Sequence, residues 1–318
     1  MLMGKFAIIV PVSVHEPIET LVRSADHLKN LNYGDHEVII LYVFDGNEED
    51  ERVLALKNKG VLVLARNTDR GKRAGAINDG INFLRKHKPD FIGIFDVDSR
   101  PSRDFVVKCV KKIKRGVYIS SAKREIVNPY SVIAEGVFFE YKLIGFLLKI
   151  SGFRQFNGLI GVLNPEYIFR YGLNEKCLTE DADFSTRMHI TGSKAEICDA
   201  ILYEQAPVKA EDFISQRKRW YFGGLELWGY FDNVIHSGNP KFIISWIMAL
   251  TLTYFPLLFL PIVIFLLPSL SMKYGVRGLR IYTGLILHIF LLQFSSISAM
   301  IWFARKKRVE WKAMNRVE

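Results

Sequence analysis

Hydrophobic positions follow two different patterns along the chain. Through most of its length, short continuous apolar runs alternate with polar stretches that permit helices. Such runs are typical of strands buried on both faces, and their alternation with helices predicts βαβ units around a mostly parallel sheet. The predicted strands are 6–12, 37–44, 61–65, 91–95 and 117–121, and the predicted helices are 17–31, 48–58, 72–87 and 102–114.

Near the C-terminus the apolar positions become continuous. Residues 242–267 and 281–304 carry no Asp, Glu, Lys or Arg. A helix of about 20 residues spans the hydrocarbon core, so the two segments predict a transmembrane hairpin with the short linker 268–280. The alternative is a pair of buried helices in a soluble protein.

The charges around the apolar segments predict an orientation. Arg305–Arg308 follow the second segment directly, and such basic clusters are retained in the cytoplasm. We therefore expect a multi-pass protein of the cell membrane, with the α/β part in the cytoplasm. Residues 130–152 are rich in aromatic and apolar side chains but also charged, which predicts a helix at the membrane surface, or else a plain core helix.

The net charge of the chain raises the question of what its basic side chains bind. The 318 residues include 43 Lys and Arg against 33 Asp and Glu, a formal net charge of +10. The basic side chains gather at 66–73, 108–124, 217–219 and 305–308, where phosphates and lipid headgroups explain them better than a nucleic acid does. Three scattered cysteines, Cys109, Cys177 and Cys198, fit a reducing compartment without a disulfide framework.

Candidate chemistry lies directly after the predicted strands, where parallel sheets bind ligands. The residues that follow the first four strands are, in turn, Pro11 to Glu16, Asp45, Arg66 to Arg73, and Asp96 with Asp98. Neither a Gly-x-Gly-x-x-Gly segment nor a Gly-Lys-Ser/Thr loop is present, which removes the main support for dinucleotide oxidoreductases and P-loop enzymes.

Two of these segments suit a diphosphate. Asp96 and Asp98 project on the same side of an extended chain, and such oxygen ligands favour Mg²⁺ or Mn²⁺ shared with a phosphate. The basic loop 66–73 lies at the start of a predicted helix, where backbone N–H groups and cations bind anions. Taken singly, each segment could equally be a solvated loop.

Two further motifs occur later in the chain. Thr179-Glu180-Asp181 could be a helix N-cap with acidic first-turn residues, or it could supply a general base. Gln216-x-x-Arg219-Trp220 could be a basic-aromatic anchor at a membrane interface, or a binding element with a ring on which a sugar stacks.

Together, in this order and ahead of apolar helices, these motifs resemble the family-2 inverting glycosyltransferases of the cellulose, chitin and hyaluronan synthase type. The resemblance covers about residues 5–235, and Arg73-Ala-Gly-Ala-Ile-Asn78 is similar to the family's Lys-Ala-Gly-Ala-Leu-Asn segment. It implies an α/β, Rossmann-like GT-A fold. The chain departs from the pattern in three places: Asp45 is a single carboxylate, Arg73 replaces a lysine, and Asn164 replaces a basic residue.

The resemblance also implies roles for individual residues. Asp181 is the expected base, with Asp98 and Asp96 as the metal ligands. The residues expected to bind the nucleotide sugar are Pro11, Glu16, Asp45, Arg73, Asp96, Gln216 and Arg219, and those expected at the acceptor are Gly158, Glu180 and Trp220.

The expected organisation is a catalytic domain at 1–210, the Gln-x-x-Arg-Trp segment with an interfacial helix at 211–240, two transmembrane helices within 241–304 and a basic tail at 305–318. The expected function is transfer from a nucleotide sugar, UDP-linked in the first instance and GDP-linked as the alternative, to a lipid-linked or glycan acceptor. A processive polysaccharide synthase acting as a homo-oligomer is the alternative.

Two other classes explain less. A polyprenyl-phosphate phospho-sugar transferase has no use for a stacking Trp220 beside a general base. A nonenzymatic membrane adaptor leaves the carboxylates at the strand ends unexplained.

Overall fold

A computed structural model describes residues 4–307, and the chain folds as two compact units. Within the described residues, the first comprises 4–123 together with 154–203, and the second comprises 124–153 and 204–307. The segment around 130–152, which the sequence assigns to the catalytic domain, thus belongs to the second unit. Of the predicted basic tail, Arg308 and the residues after it lie outside the described residues.

The first unit is organised by a mixed sheet of eight strands in the order β3-β2-β1-β4-β7-β6-β8-β5. The strands are β1 (Lys5–Val12), β2 (Glu37–Phe44), β3 (Leu62–Ala65), β4 (Phe91–Ile94), β5 (Arg100–Pro101), β6 (Val117–Ile126), β7 (Gly161–Leu163) and β8 (Lys194–Glu204). The predicted parallel pairing is confirmed for β1 with β2 and β4, and for β2 with β3. Beyond β4 the recorded pairs are antiparallel: β7 with β4 and β6, and β5 with β8.

Thirteen α-helices occur within the described residues. They are α1 (Ile18–Lys29), α2 (Glu51–Asn58), α3 (Lys72–Leu84), α4 (Phe105–Val110), α5 (Val132–Ile150), α6 (Pro165–Tyr171), α7 (Glu180–Ile190), α8 (Ala210–Glu226), α9 (Phe231–Ile235), α10 (Pro240–Thr251), α11 (Leu260–Ile264), α12 (Leu267–Tyr274) and α13 (Arg277–Ala304).

The core of the first unit explains the continuous apolar runs. Residues 6–10 of β1 are fully buried, as expected for a central strand covered on both faces. Helix α3 lies close against this sheet at Gly80, where a Cβ would lie 3.0 Å from side-chain carbons of both Ile9 and Val43. Cys109 and Cys198 are also buried here as free thiols, with their sulfur atoms 3.3 Å apart.

The second unit is helical. Helix α13 packs along both α5 and α8. Apolar clusters fill the space between them, one around Phe213 and another around Ile281. Ion pairs join the same helices, from Glu135 to Arg277 at 2.9 Å and from Glu140 to Arg217 at 2.5 Å.

The first predicted membrane segment is not one continuous helix. Helix α10 is followed by two short 3₁₀ turns, and the chain bends by 91° before it continues into α11. Pro256 lies at this break, where its ring removes a backbone donor. The N–H of Leu258, which would reach Tyr254 in a continuous helix, donates to Phe255 at 3.0 Å. The carbonyl oxygen of Tyr254 accepts from the side chains of Gln293, at 3.2 Å, and Ser296, at 3.0 Å, on α13.

By length and composition, α13 is the one helix among residues 4–307 that is long and apolar enough to cross a membrane, or one of two if the bent pair counts as a span. The predicted linker 268–280 is itself mostly helical, because α12 occupies most of it. The transmembrane hairpin therefore stays a prediction.

Candidate active site

The carboxyl ends of the parallel strands collect most of the residues that the sequence points to. The backbone N–H of Asp45, just after β2, donates to Val12 at the end of β1 at 2.9 Å. The backbone N–H of Arg66, just after β3, donates to Phe44 at 3.0 Å. Asp96 follows β4, which pairs directly with β1. Parallel pairing thus brings four separate segments to one edge of the sheet.

The basic loop after β3 is held by ion pairs. Arg66, whose side chain is 2% exposed, contacts Asp45 and Asp79 at 2.9 Å each. Arg70 contacts Asp79 at 2.7 Å and also pairs with Glu175. Arg66 and Arg70 therefore bind carboxylates here, whereas the sequence suggested cations ready to receive an anion.

Burial changes the acidity of Asp45. Desolvation raises the pKa of this carboxyl to about 6, and Arg66 limits the rise. The sequence did not reveal the pairing of Asp45 with Arg66, since the two residues belong to different loops. The sequence does show that Asp45 and Arg66 each follow a predicted strand directly, and this position could have suggested that the two side chains meet.

Arg73, at the start of α3, is the centre of the site. Its Nη2 contacts Asp96 Oδ1 at 2.7 Å, its Nη1 donates to Glu180 Oε1 at 2.6 Å, and Nη2 donates to the carbonyl oxygen of Gly158 at 2.6 Å. Burial opposes the charge, but the two carboxylates raise the pKa of Arg73 above its ordinary value. Burial also raises the pKa of Glu180, and Arg73 limits that rise. One guanidinium thus joins three segments of the chain.

Asp181 is fixed by backbone groups at the start of α7. Its Oδ2 accepts from the N–H of Gly158 at 2.5 Å, and its Oδ1 accepts from the N–H of Ala182 at 2.8 Å. Thr179 occupies the N-cap position but makes no side-chain cap bond. These two hydrogen bonds fix the orientation of the carboxylate, and a fixed orientation is what a general base needs.

Gly158 has a backbone that other residues rarely adopt. Its φ is +65°, and a Cβ built on it would lie 3.2 Å from Arg73 Nη2 and 3.3 Å from Asp96 Oδ2. Glycine is therefore required both for the conformation and for the close approach of its neighbours.

The Asp-x-Asp segment has the alternation expected at the end of a strand. Val97 is buried between Asp96 and Asp98, which are both partly exposed. Among residues 4–307, no group of three or more His, Cys, Asp or Glu side chains is assembled as a complete metal site. Two carboxylates nevertheless fit Mg²⁺ or Mn²⁺, because these ions usually bind one or two carboxylates and complete their shell with phosphate oxygens and water.

Other expected residues have structural contacts. The backbone carbonyl of Glu16 accepts from Arg52 at 3.4 Å, and Pro11 is paired with Val43 within the sheet. Asn164, which replaces a basic residue of the family pattern, is the N-cap of α6 and accepts from the N–H of Glu166 at 3.0 Å.

Gln216, Arg219 and Trp220 lie on α8, in the second unit. The residue between them, Arg217, has a side chain that is 3% exposed and lies with its guanidinium 4.1 Å from the centre of the Trp220 ring. Arg217 also binds Glu140. Burial opposes the charge of Glu140, but Arg217 and His288 hold its pKa below the ordinary value.

Sequence reasoning assigned no role to Glu140 or Arg217. The spacing of Arg217 and Trp220, three residues apart on a helix, could have suggested their contact.

The sequence is similar to two models of glycosyltransferase families. "Glycosyl transferase family group 2" matches residues 91–303, and "Glycosyl transferase family 2" matches residues 7–158.

Curated relatives include plant enzymes. A probable glucomannan 4-beta-mannosyltransferase 3 of Oryza sativa subsp. japonica is 25% identical over 183 residues, which are 54% of this chain and 33% of the relative. Glucomannan 4-beta-mannosyltransferase 7 of Arabidopsis thaliana is 22% identical over 262 residues, 76% of this chain and 47% of the relative. The chain thus spans less than half the length of these relatives.

Two solved structures share the fold. The mannosyltransferase PcManGT from Pyrobaculum calidifontis, in complex with GDP-Man and Mn²⁺, has a TM-score of 0.70 at 17% identity, covering 97% of this chain and 89% of that one. Residues 1–349 of S. aureus TarS give a TM-score of 0.51 at 13% identity, with 93% and 91% covered. The chain belongs to glycosyl transferase family group 2, and it has a GT-A fold.

Proposed function

We propose that this family member transfers mannose from GDP-mannose, with inversion, to an acceptor at the cytoplasmic face of a membrane. The observation that carries the proposal is the joining of Asp96, Glu180 and the Asp181-binding loop by Arg73 at the edge of the sheet. The choice of mannose is supported by the names of the plant relatives and by the GDP-Man complex of the archaeal neighbour. GDP-mannose thus takes the place of the UDP-sugar that the sequence analysis expected first.

The donor would bind along the strand ends. Asp45, with Pro11 and Glu16 from the loop after β1, would contact the nucleoside, and Asp96 and Asp98 would hold Mg²⁺ or Mn²⁺ against the diphosphate. When bound, such a cation neutralises the charge that develops on the leaving diphosphate. Arg219 is proposed to stabilise the same charge electrostatically.

Asp181 would accept the proton of the attacking hydroxyl. Its carboxylate is held from two sides by N–H groups, which limit the directions from which a hydroxyl can approach. Attack on the face of the sugar opposite the diphosphate inverts the anomeric centre. Glu180, Gly158 and Trp220 are proposed to line the acceptor, with Gln216 bonding near the leaving group.

Membrane attachment is supported by the second unit. Helix α13 is long and apolar enough to span, and it carries an exposed apolar stripe through Phe290, Phe294 and Ile297. We infer that this unit contacts lipid, that the catalytic unit lies on the cytoplasmic side, and that a lipid-linked acceptor is used there.

The plant names favour a second candidate, a processive synthase of a mannose-containing polysaccharide acting as a homo-oligomer. The length of the product separates the two candidates. One or a few added sugars on a lipid support the first candidate, and a ladder of long chains supports the second.

The function is tested with purified chain in detergent, a panel of GDP- and UDP-sugars, Mn²⁺ or Mg²⁺, and a polyprenyl phosphate or an oligomannoside as acceptor. We expect transfer with GDP-mannose, loss on chelation, and loss in Asp98→Asn. Transfer only from a UDP-sugar would overturn the donor assignment, and full activity in the presence of chelator would overturn the role of Asp98.

A further inference from the structure

The hydrogen bonds around Gly158 form a chain that starts at Arg73 and ends at Asp181. Arg73 donates to the carbonyl oxygen of Gly158 at 2.6 Å, and the N–H of Gly158 donates to Asp181 Oδ2 at 2.5 Å. One bond uses the carbonyl oxygen of Gly158 and the other uses its N–H, so a movement of this residue changes both bonds. Resting on the proposed function, we propose that Arg73 is a positioning residue, which orients the carboxylate of Asp181 through the backbone of Gly158.

The fork of Arg73 fixes where Gly158 lies. Its Nε and Nη2 both contact Asp96 Oδ1, at 2.8 and 2.7 Å, while Nη1 binds Glu180. A planar guanidinium held at two carboxylates has little freedom left, so the third bond, to Gly158, has a defined direction.

The loop itself is adapted to this contact. Gly158 adopts φ +65°, and the place of its missing Cβ lies 3.2 Å from Arg73 Nη2. A side chain here would push the guanidinium away from the carbonyl oxygen that it binds. The left-handed backbone is therefore the conformation in which one residue can accept from Arg73 and donate to Asp181.

This role differs from direct stabilisation of a diphosphate. A cation that acts on the leaving group contributes whether or not the base is present. A positioning residue contributes only through the base, because it has nothing to orient once the carboxylate is gone. The two roles therefore predict different results when both residues are changed.

The test is a double-mutant cycle of Arg73→Gln and Asp181→Asn, measured as kcat and donor KM for transfer from GDP-mannose. Misplacement of the base predicts that R73Q lowers kcat by about 10²-fold with little change in KM. In the D181N background we expect R73Q to lower kcat by less than a further factor of about three, because the two substitutions remove the same function. An undiminished loss in that background, or a loss confined to KM, would overturn the proposal.

The matched control is Arg187→Gln. Arg187 binds Asp183 at 2.8 Å and also donates to the carbonyl oxygen of Gly172 at 2.9 Å, so it too bridges a carboxylate and a backbone group, on the same helix as Asp181. We expect R187Q to retain kcat within about threefold, since it makes no bond to the loop of Gly158. Arg73→Lys, which keeps three donors, serves as a second variant should R73Q fail to fold.

A second measurement does not depend on turnover. Peptide-level hydrogen exchange across residues 154–161 reports the hydrogen bond from Gly158 to Asp181. We expect faster exchange there in both R73Q and D181N, and unchanged exchange in R187Q. Unchanged exchange in R73Q would overturn the positioning role of Arg73 even if the wild type transfers mannose. Faster exchange in R73Q, combined with no transfer by the wild type, would support the link from Arg73 to Asp181 and reject only the proposed function.

Discussion

The two units distribute their charged and apolar side chains in opposite ways. In the first unit, residues 6–10 of β1 are fully buried, exposed large apolar residues such as Leu54 are scattered, and charged residues gather at the strand ends. In the second unit, large apolar side chains are exposed along whole helices, and Phe294 is 60% exposed. Its buried positions include Glu135, Arg217 and His288.

The contrast indicates different surroundings. Water favours an apolar core with a charged surface, and a monomeric soluble unit rarely exposes a long apolar stripe. Lipid favours the reverse, since charges must be paired inside and apolar groups can face outwards. The exposed stripe on α13 and the paired charges behind it therefore support contact of the second unit with a membrane.

The buried ion pair of the second unit gives the largest expected effect. Glu140→Leu leaves Arg217 buried without its carboxylate, which should lower the free energy of unfolding by about 3–5 kcal/mol. Chemical unfolding of the purified protein in detergent measures this. Lys142→Gln, on the same helix, breaks an exposed pair with Glu125 and should cost less than about 1 kcal/mol.

The double variant E140L/R217M sharpens this result. Replacing both charges by apolar side chains should recover most of the lost stability, because no unpaired charge remains. Equal losses in the single and double variants would show that packing, and not charge pairing, holds these helices together.

In the first unit the largest effect is expected at the proposed base. Asp181→Asn keeps the size of the side chain but cannot accept a proton, so the rate of transfer should fall by about 10²-fold or more. Binding of GDP-mannose, measured by calorimetry, should persist. Full turnover in D181N would remove Asp181 from this role.

The exposed stripe of α13 predicts a smaller effect on membrane binding. Changing Phe290 and Phe294 together to Ser removes apolar surface and should weaken association with phospholipid vesicles by about tenfold or more, as measured by flotation. Leu54→Ser is the control, because Leu54 is equally exposed but lies on α2 of the first unit. Equal flotation of all three proteins would contradict a lipid-facing stripe.

The smallest effect concerns Asp45. Its pKa is raised from 3.8 to about 6, so the folded protein holds this proton more tightly than the unfolded chain. Its stabilising contribution is therefore present below about pH 4 and is lost as pH rises through about 6, a change of about 2 kcal/mol between the two pH values compared below. Unfolding midpoints at pH 4.5 and pH 7.5 should show this loss in the wild type and not in Asp45→Asn.

The sequence predicted the parallel part of the sheet closely, and β2 begins and ends at the predicted residues. Continuous apolar runs mark buried central strands whatever follows them. Of the antiparallel half, the start of β6 was predicted at 117–121, whereas β5, β7 and the eleven-residue β8 were missed. Strands β5 and β7 are two and three residues long and carry no pattern that such a short segment can show.

The break in the first predicted membrane segment, 242–267, also could not be predicted from the sequence. Its composition fits a span, but the bend at Pro256 depends on whether the freed carbonyl of Tyr254 finds a donor. Gln293 and Ser296, distant in sequence, supply that donor in the folded chain.

By itself, the sequence determined the parallel strands, the family and the residue types available at the strand ends, because periodicity and local motifs are contained within short segments. Only the tertiary structure decided which of those residues bind one another. Arg73 and Glu180 are separated by 107 positions, and no pattern within a segment records that they form an ion pair. The pairing depends on where the folded chain places the starts of α3 and α7, and it turns an apparent row of free cations into a network that holds Asp181.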